Sequence, residues 1–191
     1  MMPAQTASSP AFPPREQMVH VVQGEYMVVA DPNIVLTTIL GSCVATCMWD
    51  SAAGVGGMNH FLLPGDEESG SEHVKYGVNA MELLINGLLQ RGAVRGRLQA
   101  KLFGGARVIQ PLSDIGAQNA AFAERFLRTE GIACVAQSLG GDRARRVRFW
   151  PTTGRAGQLL LESTHADVVD AERQRQRAPE SPPAGGSVEL F

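Results

Sequence analysis

Apolar and polar positions alternate at short range over much of the first third of the chain. "EYMVVA" and "IVLTTIL" are short runs rich in β-branched residues, separated by the turn signal Asp31-Pro32-Asn33, and they read as two strands. "VATCMWD" and "VGGMNHFLL" read as two more, joined as a hairpin through "DSAAG". Beyond the polar stretch "PGDEESGSEH" the period changes. Val74, Val78, Met81, Leu84, Ile85, Leu88 and Leu89 recur at helical spacing, and the pattern stops near Arg91-Gly92. That spacing predicts an amphipathic helix with one face turned to the core. "LQAKLFGGA" returns to strand character and runs into a glycine turn. "SDIGAQNAAFAERFLRTEG" is a second helical pattern, with Ser113 or Asp114 as its cap and Gly131 as its stop. "IACVAQSLGG", "RRVRFWPTTG" and "QLLLES" finish as strands. Consecutive strands with two main helices predict an α/β domain with antiparallel or mixed sheets and the helices on one side. A doubly wound parallel sheet would need more crossover helices.

The ends lack this periodicity. Residues 1–17 are rich in Pro, Ser, Ala and Gln and read as a flexible leader; residues 166–191, with "RQRQRAPESPPAGGS", read as a disordered tail whose last residues, "VELF", turn apolar again. One domain over residues 18–165 is the expectation. At 191 residues and 44% hydrophobic composition the chain can bury a core without disulfides or metal. A net charge of −2, from 17 basic and 19 acidic residues, supplies no global field for nucleic acid or an anionic membrane surface. No stretch reaches the roughly 20 apolar residues of a membrane-spanning helix, and the N-terminus shows no signal-peptide pattern, so a cytoplasmic location is expected. Three cysteines, Cys43, Cys47 and Cys134, are an odd count, which favours free thiols in a reducing compartment.

The candidate chemistry gathers around "TTILGSCVATCMWD" and "MNHFLLP". With "DSAAG" as the loop, Trp49 faces Val55 and Val44 falls opposite His60, which puts Cys43 within one residue of His60 across the ladder. Alternation then requires a bulge at Gly56-Gly57, or a bend at Gly41-Ser42, to turn both side chains to one face. A Cys–His pair would make Cys43 a nucleophile, because an adjacent imidazole raises the thiolate fraction of a thiol whose pKa is otherwise about 8.5. Thr37 or Thr38 could orient the imidazole through a hydroxyl. Burial in an apolar run is the ordinary explanation of a cysteine. Cys43, Cys47 and His60 are also three potential metal ligands, although a structural zinc site wants four and C-x3-C is a weak signal. His20, His73 and His165 are expected to be solvated. The glycine turns "FGGA" and "LGG" could bring main-chain N–H groups to a substrate or could simply end strands. Arg143, Arg145, Arg146 and Arg148 read either as an exposed strand edge or as a docking patch for an acidic partner. No aromatic ladder accompanies them, so no nucleic-acid partner is expected.

Taken together, "GEY", "ILGSCVATCMWD", "GGMNHFLLP", "KYGVNAMELLINGLL", "AKLFGGARV", "IGAQNAAFAERFLRTEGI" and "LGGDRARRVRFWPTTG" resemble the chemoreceptor glutamine deamidase family, CheD, in the family's order from about residue 20 to residue 162. The resemblance implies an α/β/β layered sandwich, similar to the catalytic domain of cytotoxic necrotizing factor toxins. It implies a cysteine hydrolase that converts receptor glutamines to glutamate and could also cleave receptor methyl esters. Cys43 would be the nucleophile, His60 the base and Thr37 the orienting group, with Thr38 its neighbour and competitor. Ser42, Gly104 and Gly105 are candidates for the oxyanion or substrate site. No metal or organic cofactor is required. The expected partners are chemoreceptor cytoplasmic domains and a CheC-type phosphatase of the response regulator CheY. The protein is expected to be a monomer without membrane insertion. The sequence departs from the family pattern at Val78 and Ser138, positions where the family often has Asp.

Overall fold

The computed structural model describes residues 16–63, 70–107 and 115–161. Its strands are β1 (Gln17–His20), β2 (Tyr26–Val29), β3 (Ile34–Leu40), β4 (Val44–Asp50), β5 (Val55–Phe61), β6 (Gln99–Gly104), β7 (Ala133–Leu139), β8 (Arg145–Trp150) and β9 (Arg155–Leu160). Helix α1 spans Gly70–Gln90 and α2 spans Ile115–Thr129, with a 3-10 turn at Arg95–Arg97 leading into β6. The strands form two sheets, one in the order β1-β3-β8-β9 and the other β2-β5-β4-β6-β7. Both are mixed: β1 lies parallel to β3 and β6 parallel to β7, and the remaining pairs are antiparallel.

The two faces of β4 explain the layering. Val44 and Met48 point to one side and join Leu84, Ile85 and Leu88 of α1 and Phe122 of α2. Ala45, Cys47 and Trp49 point to the other and join Leu36, Leu40, Val147 and Phe149 of the first sheet. Helices, five-stranded sheet and four-stranded sheet therefore stack as an α/β/β sandwich with an apolar layer on each side of the middle sheet. Burial on both faces leaves no solvent side for β4 and β5, and every residue in both is buried. Each fully buried Leu, Met or Phe in these layers contributes about 1.5–3 kcal/mol relative to exposure. Among the described residues, no helix is long and apolar enough to cross a membrane.

Three expectations change. The β4–β5 hairpin closes one residue earlier than "DSAAG" suggested, pairing Asp50 with Val55 and Ala45 with His60. Asp50 can end the strand because its carboxylate accepts the Ala52 and Ala53 N–H groups of the turn, the Val94 N–H, and the Arg97 guanidinium. The Arg97 hydrogen bond leads these contacts in holding the carboxyl down to about 2, against the opposing effect of burial. The ladder runs unbroken through Gly56-Gly57, so no bulge forms there. A Cβ on Gly56 would instead collide with the Pro151 carbonyl, and that close approach of the β8–β9 turn is what requires glycine. Finally, β8 lies inside its sheet between β3 and β9, which removes the exposed-edge reading of the arginine run. The helix cap at Ser113 or Asp114 and the tail beyond 161 lie outside the described residues, as does the leader except for its last two residues, of which Gln17 opens β1.

Candidate active site

Cys43 ends the bend Gly41-Ser42-Cys43 between β3 and β4, where the chain crosses from one sheet to the other. The carbonyls of all three residues are pinned. Ala106 N–H donates to Gly41 at 2.8 Å, Asn119 Nδ2 to Ser42 at 3.0 Å, and Gly105 N–H to Cys43 at 2.8 Å. Gly104 has φ +111°, and a Cβ there would overlap the Cys43 carbonyl oxygen. Gly104 and Gly105 thus let the end of β6 pass against the cysteine backbone. Gly105 spends its N–H on the Cys43 carbonyl and so anchors the cysteine backbone.

His60 lies opposite Ala45, so residues 43, 45 and 60 share the face of the middle sheet that looks toward the other sheet. Cys43 directly precedes β4, whose Val44 pairs with Phe61, and it packs in one buried cluster with Ala45, Cys47 and Met58 on that face. The one-residue change in hairpin register brings about this common face without the expected bulge. His60 is 2% exposed. Its Nδ1 lies 2.9 Å from Thr38 Oγ1 and 3.4 Å from the Val21 carbonyl, and Thr38 Oγ1 lies 2.8 Å from that same carbonyl. A hydroxyl has one proton, and the Val21 oxygen can only accept. Thr38 therefore donates to Val21 and accepts from His60, which places the imidazole proton on Nδ1 and leaves Nε2 with a free lone pair. Nε2 is buried and has no hydrogen-bond partner. Burial lowers the His60 pKa to about 4, opposed by the Val21 carbonyl and helped slightly by His20, so the ring is neutral at pH 7.

Thr37 is on the other face of β3. Its hydroxyl donates to the Val147 carbonyl at 2.8 Å, so Thr38 replaces Thr37 as the residue that holds the imidazole. His20, expected in solvent, is half-buried in β1. His73 is described in backbone only and His165 lies outside the described residues. Cys47 is fully buried among apolar side chains, and that burial pushes its thiol far above the ordinary range, which makes it an inert core residue. Cys134 is exposed on β7. Among the described residues, no group of three His, Cys, Asp or Glu side chains could hold a metal ion.

Two contributors escape sequence reasoning. Gln23, in the turn between β1 and β2, places Oε1 3.2 Å from Cys43 Sγ. The same turn clamps the histidine backbone, with Gly24 N–H donating to the His60 carbonyl at 2.7 Å and His60 N–H to the Glu25 carbonyl at 3.0 Å. Asn119 is wholly buried on α2, where it accepts the Leu63 N–H at 2.8 Å and donates to Ser42. A carboxamide on the apolar face of a helix was the available signal. Of the arginines, Arg145 is buried and donates to the Ser138 and Gly140 carbonyls and the Ser138 hydroxyl, so it pins the "LGG" turn. The Ser138 hydroxyl accepts from Arg145 and from Gln158 Nε2, the latter at 2.9 Å.

Known proteins resemble this chain closely. The model of the family described as CheD chemotactic sensory transduction matches residues 62–158, a segment that begins just beyond His60. A probable chemoreceptor glutamine deamidase CheD of Caulobacter vibrioides is 56% identical over 185 residues, covering 94% of this chain and 96% of its own length. A probable chemoreceptor glutamine deamidase CheD of Rhizobium meliloti is 56% identical over 176 residues, covering 91% of this chain and 95% of its own. A Neisseria meningitidis crystal structure superposes with a TM-score of 0.46 at 12% identity, over 76% of this chain and 74% of that one.

Proposed function

The chain belongs to the chemoreceptor glutamine deamidase family, CheD, and from that membership we propose that it is a cysteine-dependent amide hydrolase converting glutamine side chains of chemoreceptor cytoplasmic domains to glutamate. One observation carries the cysteine mechanism: Thr38 holds the Nδ1–H of His60 and leaves Nε2 bare on the face shared with Cys43. A neutral imidazole with an open Nε2 is what a general base requires. Nε2 takes the thiol proton, and the thiolate attacks the substrate carboxamide carbon. The tetrahedral oxyanion is met by main-chain N–H groups of the Ser42–Cys43 bend. The imidazolium returns its proton to the departing nitrogen, ammonia leaves and a thioester remains. Water, deprotonated by the same Nε2, hydrolyses the thioester to glutamate and frees the thiol. The acyl chemistry applies equally to a receptor glutamate methyl ester.

Peptide-resolved mass spectrometry of a purified receptor cytoplasmic domain, incubated with the wild-type protein and with Cys43→Ala, tests the reading. Site-specific Gln to Glu conversion is expected with the wild type alone. Equal conversion by Cys43→Ala would remove the cysteine from the mechanism.

A further inference from the structure

We propose that Gln23 is a substrate of its own active site: Cys43 attacks the Gln23 carboxamide, and the glutamine is converted in cis to glutamate. The inference rests on the amide-hydrolase reading above and extends it to a modification site within the enzyme. Its basis is chemical identity. The functional group the enzyme acts on, a glutamine carboxamide, stands with its carbonyl oxygen 3.2 Å from the Cys43 sulfur. A carbonyl bond is about 1.2 Å long, so the carboxamide carbon is at most about 4.4 Å from the sulfur. A modest side-chain rotation brings it to the roughly 3–3.5 Å of a near-attack arrangement.

The backbone holds this proximity in place. Val21 N–H donates to Thr37 O in the four-stranded sheet, Gly24 N–H donates to His60 O in the five-stranded sheet, and Glu25 N–H closes the turn on Val22 O. Gln23 therefore projects from a turn tied to both sheets and to the backbone of the catalytic histidine. Holding reactants in this way substitutes for the encounter that an external glutamine must make. The turn is exposed, so water can reach the acyl group.

The steps balance. The thiol proton passes to His60 Nε2, the sulfur bonds to the Gln23 side-chain carbonyl carbon, and the carbon–nitrogen bond breaks as the nitrogen receives that proton and leaves as ammonia. The product is an intrachain thioester between residues 43 and 23, lighter than the starting chain by one ammonia. Water then adds to the acyl carbon and the sulfur leaves as the thiol, giving a glutamate side chain at position 23. The new carboxylate faces Cys43, and a like charge beside a thiol disfavours its thiolate. The modified enzyme is slower on external glutamines than the unmodified one.

The test follows residue 23 and the receptor glutamines in one tube. Full-length wild type and Cys43→Ala are incubated at neutral pH with a receptor cytoplasmic domain, with and without hydroxylamine, and both proteins are read by peptide-resolved mass spectrometry. The expected result is glutamate at position 23 in the wild type, intact Gln23 in Cys43→Ala, and a hydroxamate at position 23 when hydroxylamine intercepts the thioester. Receptor conversion with Gln23 intact would overturn the self-reaction while the deamidase reading stands. Equal conversion of Gln23 in both proteins would overturn it as well, by showing spontaneous deamidation. Conversion at neither place would overturn both readings. Gln23→Glu and Gln23→Ala read the consequence. The backbone bonds of the turn do not use this side chain, so both variants should fold, and the carboxylate beside the thiol should make the first variant about tenfold slower on the receptor than the second. Equal rates would remove the regulatory consequence.

Discussion

At the scale of the residue, the chemistry of His60 is decided by a single hydroxyl proton. Thr38 gives that proton to Val21 and so must receive one from the imidazole, which fixes the tautomer with Nε2 open. Thr38→Val keeps the shape and removes this acceptor, leaving Nδ1 the Val21 carbonyl at 3.4 Å. The variant should lose roughly tenfold to a hundredfold in kcat on receptor glutamines with KM nearly unchanged, as expected when a base is disoriented and substrate binding is untouched. Thr37→Val should cost about 1 kcal/mol through its lost bond to Val147 and leave kcat close to wild type. A damaged Thr37→Val beside a healthy Thr38→Val would reverse the assignment. The sequence made Cys43 and His60 neighbours but left the two threonines unresolved. The reason is physical: Leu36 and Leu40 share the parity of Thr38, but Val35 and Ile39 give the parity of Thr37 an equally apolar look. Only the packing of β3 against the middle sheet, which buries Thr38 completely, tells the faces apart.

At the scale of the element, Cys43 is positioned by what grips its bend. Three carbonyls in a row accept from the segment ending β6 and from α2, and Asn119 is the side chain among those donors. Asn119→Ala would strand the buried Leu63 N–H and the Ser42 carbonyl at once. At about 1–3 kcal/mol for each unsatisfied group, the urea-unfolding free energy should fall by about 2–6 kcal/mol. A loss below about 0.5 kcal/mol, the range of ordinary surface substitutions, would show that the bend is held without it. Both helices were legible because an amphipathic period over many residues is a local signal; α1 ends at Gln90, beside the expected Arg91-Gly92 stop. β1 was not legible. Its four residues are half-exposed, and only their parallel pairing with β3 makes them a strand. The Gln23 turn went unread with it, since the turn exists only because β1 and β2 belong to different sheets.

At the scale of the whole molecule, β1 to β4 alternate between the sheets, so the turn carrying Gln23 and the bend carrying Cys43 are both sheet-to-sheet crossings. The site consequently lies in the inter-sheet layer and shares its fate. The layer between helices and middle sheet holds Thr46, Asn59 and Asn119 among its apolar side chains, and none of these three titrates in acid, whereas the inter-sheet layer holds a neutral, buried imidazole. Acid should attack the second layer first. His60 has a folded pKa of about 4 against an ordinary value of 6.5, so the unfolded chain binds its proton more readily. The stability this burial represents is complete above pH 6.5 and is lost as the pH falls from 6.5 through about 4. At about 1.4 kcal/mol per unit the loss approaches about 3 kcal/mol. Asp50 follows in the same direction but lower, between 3.8 and about 2, as its bond to Arg97 is titrated away. Urea-unfolding free energies measured from about pH 7 to about pH 4 should therefore fall more steeply for the wild type than for His60→Gln, whose side chain does not titrate. Parallel slopes would mean that His60 accepts its proton without disturbing the native packing. An imidazole that charges so easily would not be the neutral base that the Thr38 hydrogen bond and the bare Nε2 describe.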